Sequence, residues 1–248
     1  MGQCIAVVSG KGGTGKTSFT AGVGAALALS GLRVLCVDCD IGLRNLDIAL
    51  GLSDAALMDF SDVAQQRCTL ERAVVSHPQL AKLSLLTAPI RQRGQPVTGE
   101  QMASLLRAVR MQYDFCLLDA PAGLGDGFLL ATAAADRCVV VTTADASSLR
   151  DAQHTVMELG RFGPGKLHLV VNRVRKKLLR SMHATIDDAM DKAGLPLLGV
   201  VPEDDALPLA LNRGSPILLS APASPASSAY RNIATRLRGG KAPLLRIK

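Results

Sequence analysis

Residues 10–18 read Gly10-Lys11-Gly12-Gly13-Thr14-Gly15-Lys16-Thr17-Ser18, directly after the apolar run Cys4-Ile5-Ala6-Val7-Val8 and directly before the alanine-rich stretch 19–30. The spacing fits G-x-x-x-x-G-K-[ST]. In that loop glycines let backbone N–H groups close around phosphates, while a lysine and a hydroxyl meet the β/γ-phosphates and Mg2+. Strand, glycine turn and helix form the context the motif needs, because the helix N-terminus adds N–H groups and the positive end of its dipole. Gly10 to Ser18 are thus expected to bind a nucleoside triphosphate, with Lys16 on the phosphates and Thr17 on Mg2+. Lys11 is surplus to that chemistry and needs its own explanation.

Around this loop, short runs rich in Val, Leu and Ile recur at 3–8, 33–38, 83–87, 114–119, 137–142, 167–171 and 197–201. Helix-patterned segments lie at 16–30, 59–66, 98–110, 126–134, 146–160, 181–193, 204–212 and 224–238. Continuously apolar strands alternating with helices predict an α/β fold: a doubly wound, mostly parallel sheet covered by helices on both faces. Gly31, Gly194 and Gly239 fall where helix C-caps belong, and Thr98, Ser181 and Ser224 are candidate N-terminal signals. Residues 89–97, with two prolines, read as a surface loop. Ligands of such sheets bind outside the carboxyl ends of the strands, so the loops after 8, 38, 119, 142, 171 and 201 are expected to converge.

A chain of 248 residues with 48% hydrophobic residues suits one domain with an ample core. No apolar run approaches the ~20 residues that span a bilayer, and no leader pattern opens the chain, so a cytoplasmic protein is expected. Cys4, Cys36, Cys116 and Cys138 lie in strand-like runs, where cysteine is a small hydrophobe. Cys36 and Cys39 have metal-like spacing, but positions three apart on a strand point to opposite faces. The net charge of +7 favours acidic partners, yet its clusters, Arg173 to Arg180 and Arg231 to Lys248, read equally as solvated faces.

Several strand ends carry chemistry. Asp38 closes the second run, where it can approach the Mg2+ shell, and Asp40 lies further out, where it can orient the attacking water. Phe115-Cys116-Leu117-Leu118-Asp119 is a buried run ending in an acid, the Walker B pattern, so Asp119 is a further Mg2+ candidate. Asn172, after another run, carries donors and acceptors suited to a purine edge, and reads equally as a turn residue. Pro202-Glu203-Asp204 ends the last run, where backbone groups can read a ring.

Taken together, KGGTGKTS (11–18), VDCDIGLRNLD (37–47), LLDAPAG (117–123), VVNR (170–173) and VVPED (200–204) resemble the MinD branch of the MinD/ParA deviant-Walker ATPases. Met58-Asp59-Phe60 with Leu70, and Ala144 to Asp151, support the likeness, which extends through most of 3–238. The resemblance implies an ATPase with ATP and Mg2+ as cofactors, in which Lys11 reaches across an ATP-sandwiched homodimer to the other chain's phosphates. It further implies Thr17 on Mg2+, Asp40 at the catalytic water, Asn45 at the dimer interface and Asp119 in the outer Mg2+ shell. Asn172, Arg173 and the loop Pro202, Glu203, Asp204 are implied at the adenine.

The implied role is division-site placement with a MinC-like inhibitor and a MinE- or DivIVA-linked regulator. Related readings on the same scaffold are positioning of flagella, DNA or cargo, or a carrier or ligase; nucleic acid is the less favoured partner. The expected division is a domain over 1–240 and a short basic-apolar tail over 241–248. Relatives of this branch end in an amphipathic helix that binds anionic membrane. Here the tail spans barely two helical turns and contains a proline, leaving both a peripheral membrane contact and a frayed end open.

Overall fold

The computed structural model describes residues 1–53, 55–91, 94–182 and 185–245. Eight strands form one sheet: β1 Gln3–Val8, β2 Val34–Asp38, β3 Val75–Ser76, β4 Leu83–Leu86, β5 Phe115–Asp119, β6 Arg137–Thr142, β7 Leu167–Val174 and β8 Leu197–Pro202. Their order is β3-β4-β2-β5-β1-β6-β7-β8. All neighbouring pairs are parallel except β3 with β4. The expected doubly wound parallel sheet is therefore present, with a two-residue antiparallel edge that sequence patterning did not reveal. From β1 the chain winds outward through β2, returns to β5 on one side of β1, and continues on the other through β6. The carboxyl end of β1 is thus the point where the winding reverses, the place such sheets reserve for ligands.

Long crossovers are helical: α1 Lys16–Leu29 follows β1, and the short helices α2 Leu46–Leu50, α3 Phe60–Ala64 and α4 Leu70–Ala73 follow β2. Next come α5 Gly99–Gln112, α6 Asp126–Thr132, α7 Ala146–Glu158, α8 Lys176–Ser181 and α9 Ile186–Ala193. The chain closes with α10 Ala206–Asn212, α11 Ile217–Ser220 and α12 Pro225–Leu237. Alternate strand residues feed two cores. Ile5 and Val7 face α1 and α12, whereas Cys4, Ala6 and Val8 face the layer of α5, α6, α7 and α9. Cys36 belongs to the first core and Cys39 to the second, so these two thiols point apart as their spacing required.

Helix α1 is buried on nearly every side, and α12 packs so closely on it that a Cβ at Gly22 would lie 2.3 Å from the Tyr230 ring. Thr98 closes a capping box at the start of α5, and Ser224 accepts from Ser227 N at the start of α12. Gly31, Gly194 and Gly239 all take positive φ at helix ends. Ser181 does not start a helix. It ends α8, and Thr185 instead closes the capping box of α9. The reason is chemical: Lys176–Ser181 is a short helix with no fully buried residue, touching the second core only through the half-buried Leu179, and Ala189 and Ala193 supply the buried face of α9.

Beyond α12, Arg236 donates from Nε to the Ala242 carbonyl at 2.9 Å, and Asn232 donates from Nδ2 to the Pro243 carbonyl at 3.1 Å. Leu245 is half-buried against the first core. The segment 241–245 is thus non-helical and laid along α12, while 246–248 fall outside the described residues.

Candidate nucleotide site

The phosphate loop leaves β1 at Val8 and enters α1 through Gly15, whose φ of 88° lies in the left-handed region. A Cβ there would also sit 2.4 Å from the Asn172 amide nitrogen, so glycine is required by both backbone and space. Gly10 is equally pressed, with a hypothetical Cβ 2.5 Å from the Asp151 carbonyl, while Gly12 and Gly13 face open space that a phosphate could fill. Lys16 is only 8% exposed, and its Nζ donates to Ser9 Oγ at 2.7 Å. Ser9 Oγ in turn donates to the Lys11 carbonyl at 2.7 Å. Burial pushes the Lys16 ammonium below its ordinary pKa, opposed by the charges of Asp119 and Asp40. Thr14 Oγ1 is buried and has no hydrogen-bond partner among the described residues, an unsatisfied polar atom inside the loop.

Asp38 and Asp119 sit side by side, as register partners at the ends of β2 and β5. Thr17 donates to Asp119 Oδ2 at 2.7 Å and Thr20 to Oδ1 at 3.2 Å. Burial first, and the neighbouring Asp38 charge second, push the Asp119 carboxyl up to about 7. Burial likewise raises Asp38 to about 6, although backbone donors oppose it. Those donors are Asp40 N at 2.8 Å and Leu46 N at 3.1 Å, one on each oxygen, so Asp38 folds the loop 39–46 back over the sheet end. Asp40 itself is half-buried, raised by burial and countered by Lys16. Two crowded buried carboxylates beside a threonine hydroxyl form a hard oxygen set that suits Mg2+, whose remaining positions would go to phosphate and water.

A cleft of about 240 Å3 opens beside Gly15 and Ser18, lined by Asn172, Arg173, Glu203, Asp204 and, on α10, Leu207, Pro208 and Leu211. Asn172 donates from Nδ2 to the Thr14 carbonyl at 2.8 Å and accepts from Arg173 N at 2.9 Å, so it also braces the phosphate loop. One N–H and one lone pair remain for a base. Arg173, with φ 55°, pairs with Glu203 at 3.1 Å. Asp204 gives both carboxylate oxygens to the backbone, to Ala206 N at 3.0 Å and Ala226 N at 2.9 Å, which anchors α10 and α12. Pro202 lines a different cleft.

Lys11 stands outside this interior. Its Nζ donates to Ser147 Oγ at 2.9 Å and pairs with Asp145 at 3.4 Å, across the mouth of the loop after β6. Burial alone would raise the Asp145 carboxyl, but hydrogen bonds from Thr143, Ser148 and Ser147 outweigh it and hold it well below the usual carboxylate range. Asn45 is exposed at the start of α2, and its side chain makes no cap bond. Ser9, Thr20 and Asp145 were given no role by motif reading. Ser9 could have been flagged as the hydroxyl just before the first glycine, whereas Thr20 and Asp145 make contacts 99 and 134 residues apart in sequence.

Residues 5–217 match the CobQ/CobB/MinD/ParA nucleotide binding domain. The chain belongs to that family. This CobQ/CobB/MinD/ParA domain is 37% identical to the septum site-determining protein MinD of Synechocystis over 99% of this chain and 92% of the relative. The MinC:MinD cell division protein complex of Aquifex aeolicus contains a similar chain, with a TM-score of 0.90, 35% identity and 99% of each chain covered. The septum site-determining protein MinD of Pyrococcus horikoshii, complexed with Mg-ADP, superposes with a TM-score of 0.82 at 29% identity over 96% of each chain.

Proposed function

We propose that the chain is an ATP-driven dimerisation switch that hydrolyses ATP to ADP and phosphate and acts in division-site placement. The carrying observation is the pair of lysines on one loop, Lys16 turned into the buried phosphate site and Lys11 turned outward to an exposed contact. Gly10, Gly12, Gly13, Thr14 and Gly15 present backbone N–H groups to the phosphates, and Lys16 leaves Ser9 for the β/γ oxygens. Thr17 and Asp119, with Asp38 behind them, are the residues to hold Mg2+, which when bound neutralises charge on those oxygens. Asp40 orients the attacking water. Asn172, Arg173, Glu203 and Asp204 hold the adenine end, with Ser18 below it, whereas Pro202, expected there from sequence, is turned to the neighbouring cleft.

Lys11 exchanges Asp145 and Ser147 for the phosphates of a second copy, and Asn45 joins that interface. A cation supplied across an interface stabilises charge on the transferring group, so hydrolysis depends on association. Similarity to septum site-determining relatives supports a MinC-like inhibitor as partner. By the same family logic, a MinE- or DivIVA-linked regulator stimulates hydrolysis, on a cytoplasmic protein whose tail, 241–248, makes a peripheral contact with anionic membrane. Among the described residues no helix is long and apolar enough to cross a membrane.

Size-exclusion chromatography with ATP and with ADP tests the switch: Asp40→Ala is expected to accumulate as an ATP-stabilised dimer, and a monomer under ATP would count against the roles of Asp40 and Lys11. Sedimentation with anionic liposomes and with duplex DNA, with and without 241–248, tests the setting. ATP-dependent DNA binding without lipid binding would overturn the division-site reading.

A further inference from the structure

A second cleft, of about 800 Å3, lies on the other side of Glu203 from the nucleotide cleft. Arg175, Lys176, Lys177 and Arg180 line it, and among the described residues Glu203 is the only acid on its walls. Apolar surface comes from Ala223, Pro225 and the half-buried Leu245, with the buried Val174 and Pro202 at the base. All four cations are exposed, and the one carboxylate is already engaged. Among the described residues the surplus positive charge of Lys176, Lys177 and Arg180 has no acidic partner.

The backbone is shaped to produce this arrangement. Register slips between Val171 and Val174 where β7 meets β8, and Arg173 takes a φ of 55°, a conformation that side chains with a Cβ rarely adopt. The bulge delivers Arg173 to one side of Glu203 and Arg175 to the other, at 3.1 Å and 3.5 Å. Strained backbone of this kind persists where surroundings over-determine it, and it clusters at functional sites. One carboxylate thus forms part of the wall of both clefts.

We propose that the second cleft binds a small nucleoside polyphosphate, additional to the nucleotide on the phosphate loop. Its size falls in the ~300–1,000 Å3 range of small-ligand sites. Its apolar walls suit a base and its cations suit phosphates, Arg175 and Arg180 through their planar forks. A concave site favours this ligand over a duplex or a membrane, which would meet a ridge or a flat face. Because Arg173 and Arg175 share Glu203, drawing Arg175 onto a phosphate alters the grip of Glu203 on Arg173. Occupancy of the two clefts is then linked, and the linkage must be reciprocal.

The linkage rests on the proposed nucleotide reading of the phosphate loop, and the test separates the two. The chain is saturated with Mg2+ and a fluorescent ADP, whose retention is monitored, and titrated with guanosine tetraphosphate or inorganic tripolyphosphate by calorimetry. Failure of the fluorescent ADP to bind would sink the phosphate-loop reading instead. The expected result is one further saturable site per chain, weakened about tenfold or more in Arg175→Ala/Lys177→Ala, with a severalfold shift in ADP affinity that Arg175→Ala abolishes. Circular dichroism checks that the variants fold, and Lys166→Ala serves as a control for loss of one surface charge. The proposal is overturned by absence of saturable binding, by equal binding to the double variant, or by duplex DNA or phosphatidylglycerol vesicles engaging the same cations more tightly than the free probes.

Discussion

Replacing Lys11 by alanine separates the two contacts assigned to it. In the isolated chain its ammonium meets Asp145 at 3.4 Å, with the side chains 39% and 47% exposed. Half-exposed pairs of this kind are worth about 0–1 kcal/mol. At roughly 2–4 °C per kcal/mol for a domain of this size, the unfolding temperature should fall by no more than about 4 °C. Fluorescent ADP affinity should stay within about twofold, because Lys16, Thr17 and the loop backbone are untouched. Turnover should fall by about 10^3-fold or more, the scale of a cation supplied across an interface to a transferring phosphoryl group. Phosphate release measured over a range of protein concentrations gives the reading: the wild-type rate per chain rises as copies associate, and the variant stays flat near background. Wild-type turnover in Lys11→Ala at limiting protein would refute the trans assignment, and a collapse in thermal stability would show that Lys11 holds the fold instead.

Gly15→Ala places a Cβ 2.4 Å from Asn172 Nδ2 at a φ of 88°, so ADP affinity should drop at least about tenfold and stability by about 1–3 kcal/mol; calorimetry and urea denaturation check both. Tyr230→Phe should stabilise the chain by about 1 kcal/mol, because the buried Tyr230 hydroxyl has no hydrogen-bond partner among the described residues; an unchanged or lower urea midpoint would contradict this. Asp119, raised to about 7, binds its proton more tightly in the folded than in the unfolded chain, so it stabilises the nucleotide-free protein as pH falls below about 7 and that stability is lost as pH rises through it. His77 acts oppositely: burial disfavours its charged form, against a hydrogen bond with the Leu50 backbone, so stability is lost as pH falls below the ordinary histidine value. The difference between wild type and Asp119→Asn in urea midpoint at pH 6 and pH 8 is therefore the quantity to measure, with the amide variant expected to show the smaller loss on going to pH 8.

The phosphate loop and the parallel strands were legible because their signals are local: contiguous motif residues and unbroken apolar runs. The edge strand Val75–Ser76 is too short to carry a periodicity, and it exists because β4 offers it a free edge. The break between α8 and α9 is hidden in sequence because Leu178 and Leu179 suggest an apolar face that the fold leaves largely outside, Leu178 being 52% exposed. At the site, position was readable and partnership was not. Asp38 and Asp204 stand at strand ends as expected, yet both spend their oxygens on backbone N–H groups, 22 residues away for Asp204 and Ala226. Lys11 stood out in sequence, but its contact with Asp145 bridges 134 positions and exists only in the folded chain.

Ser9 gives the loop a property beyond shape. Its hydroxyl has one proton, spent on the Lys11 carbonyl, and its oxygen accepts a hydrogen bond from Lys16. A phosphate that draws Lys16 away removes the donor that polarises this hydroxyl, and the hold on the Lys11 backbone slackens, because hydrogen bonds in a chain reinforce one another. Ser9 is in this sense a messenger of a few ångströms' reach. It reports whether a chain's own pocket is filled to the residue proposed to touch its neighbour, with no helix having to move.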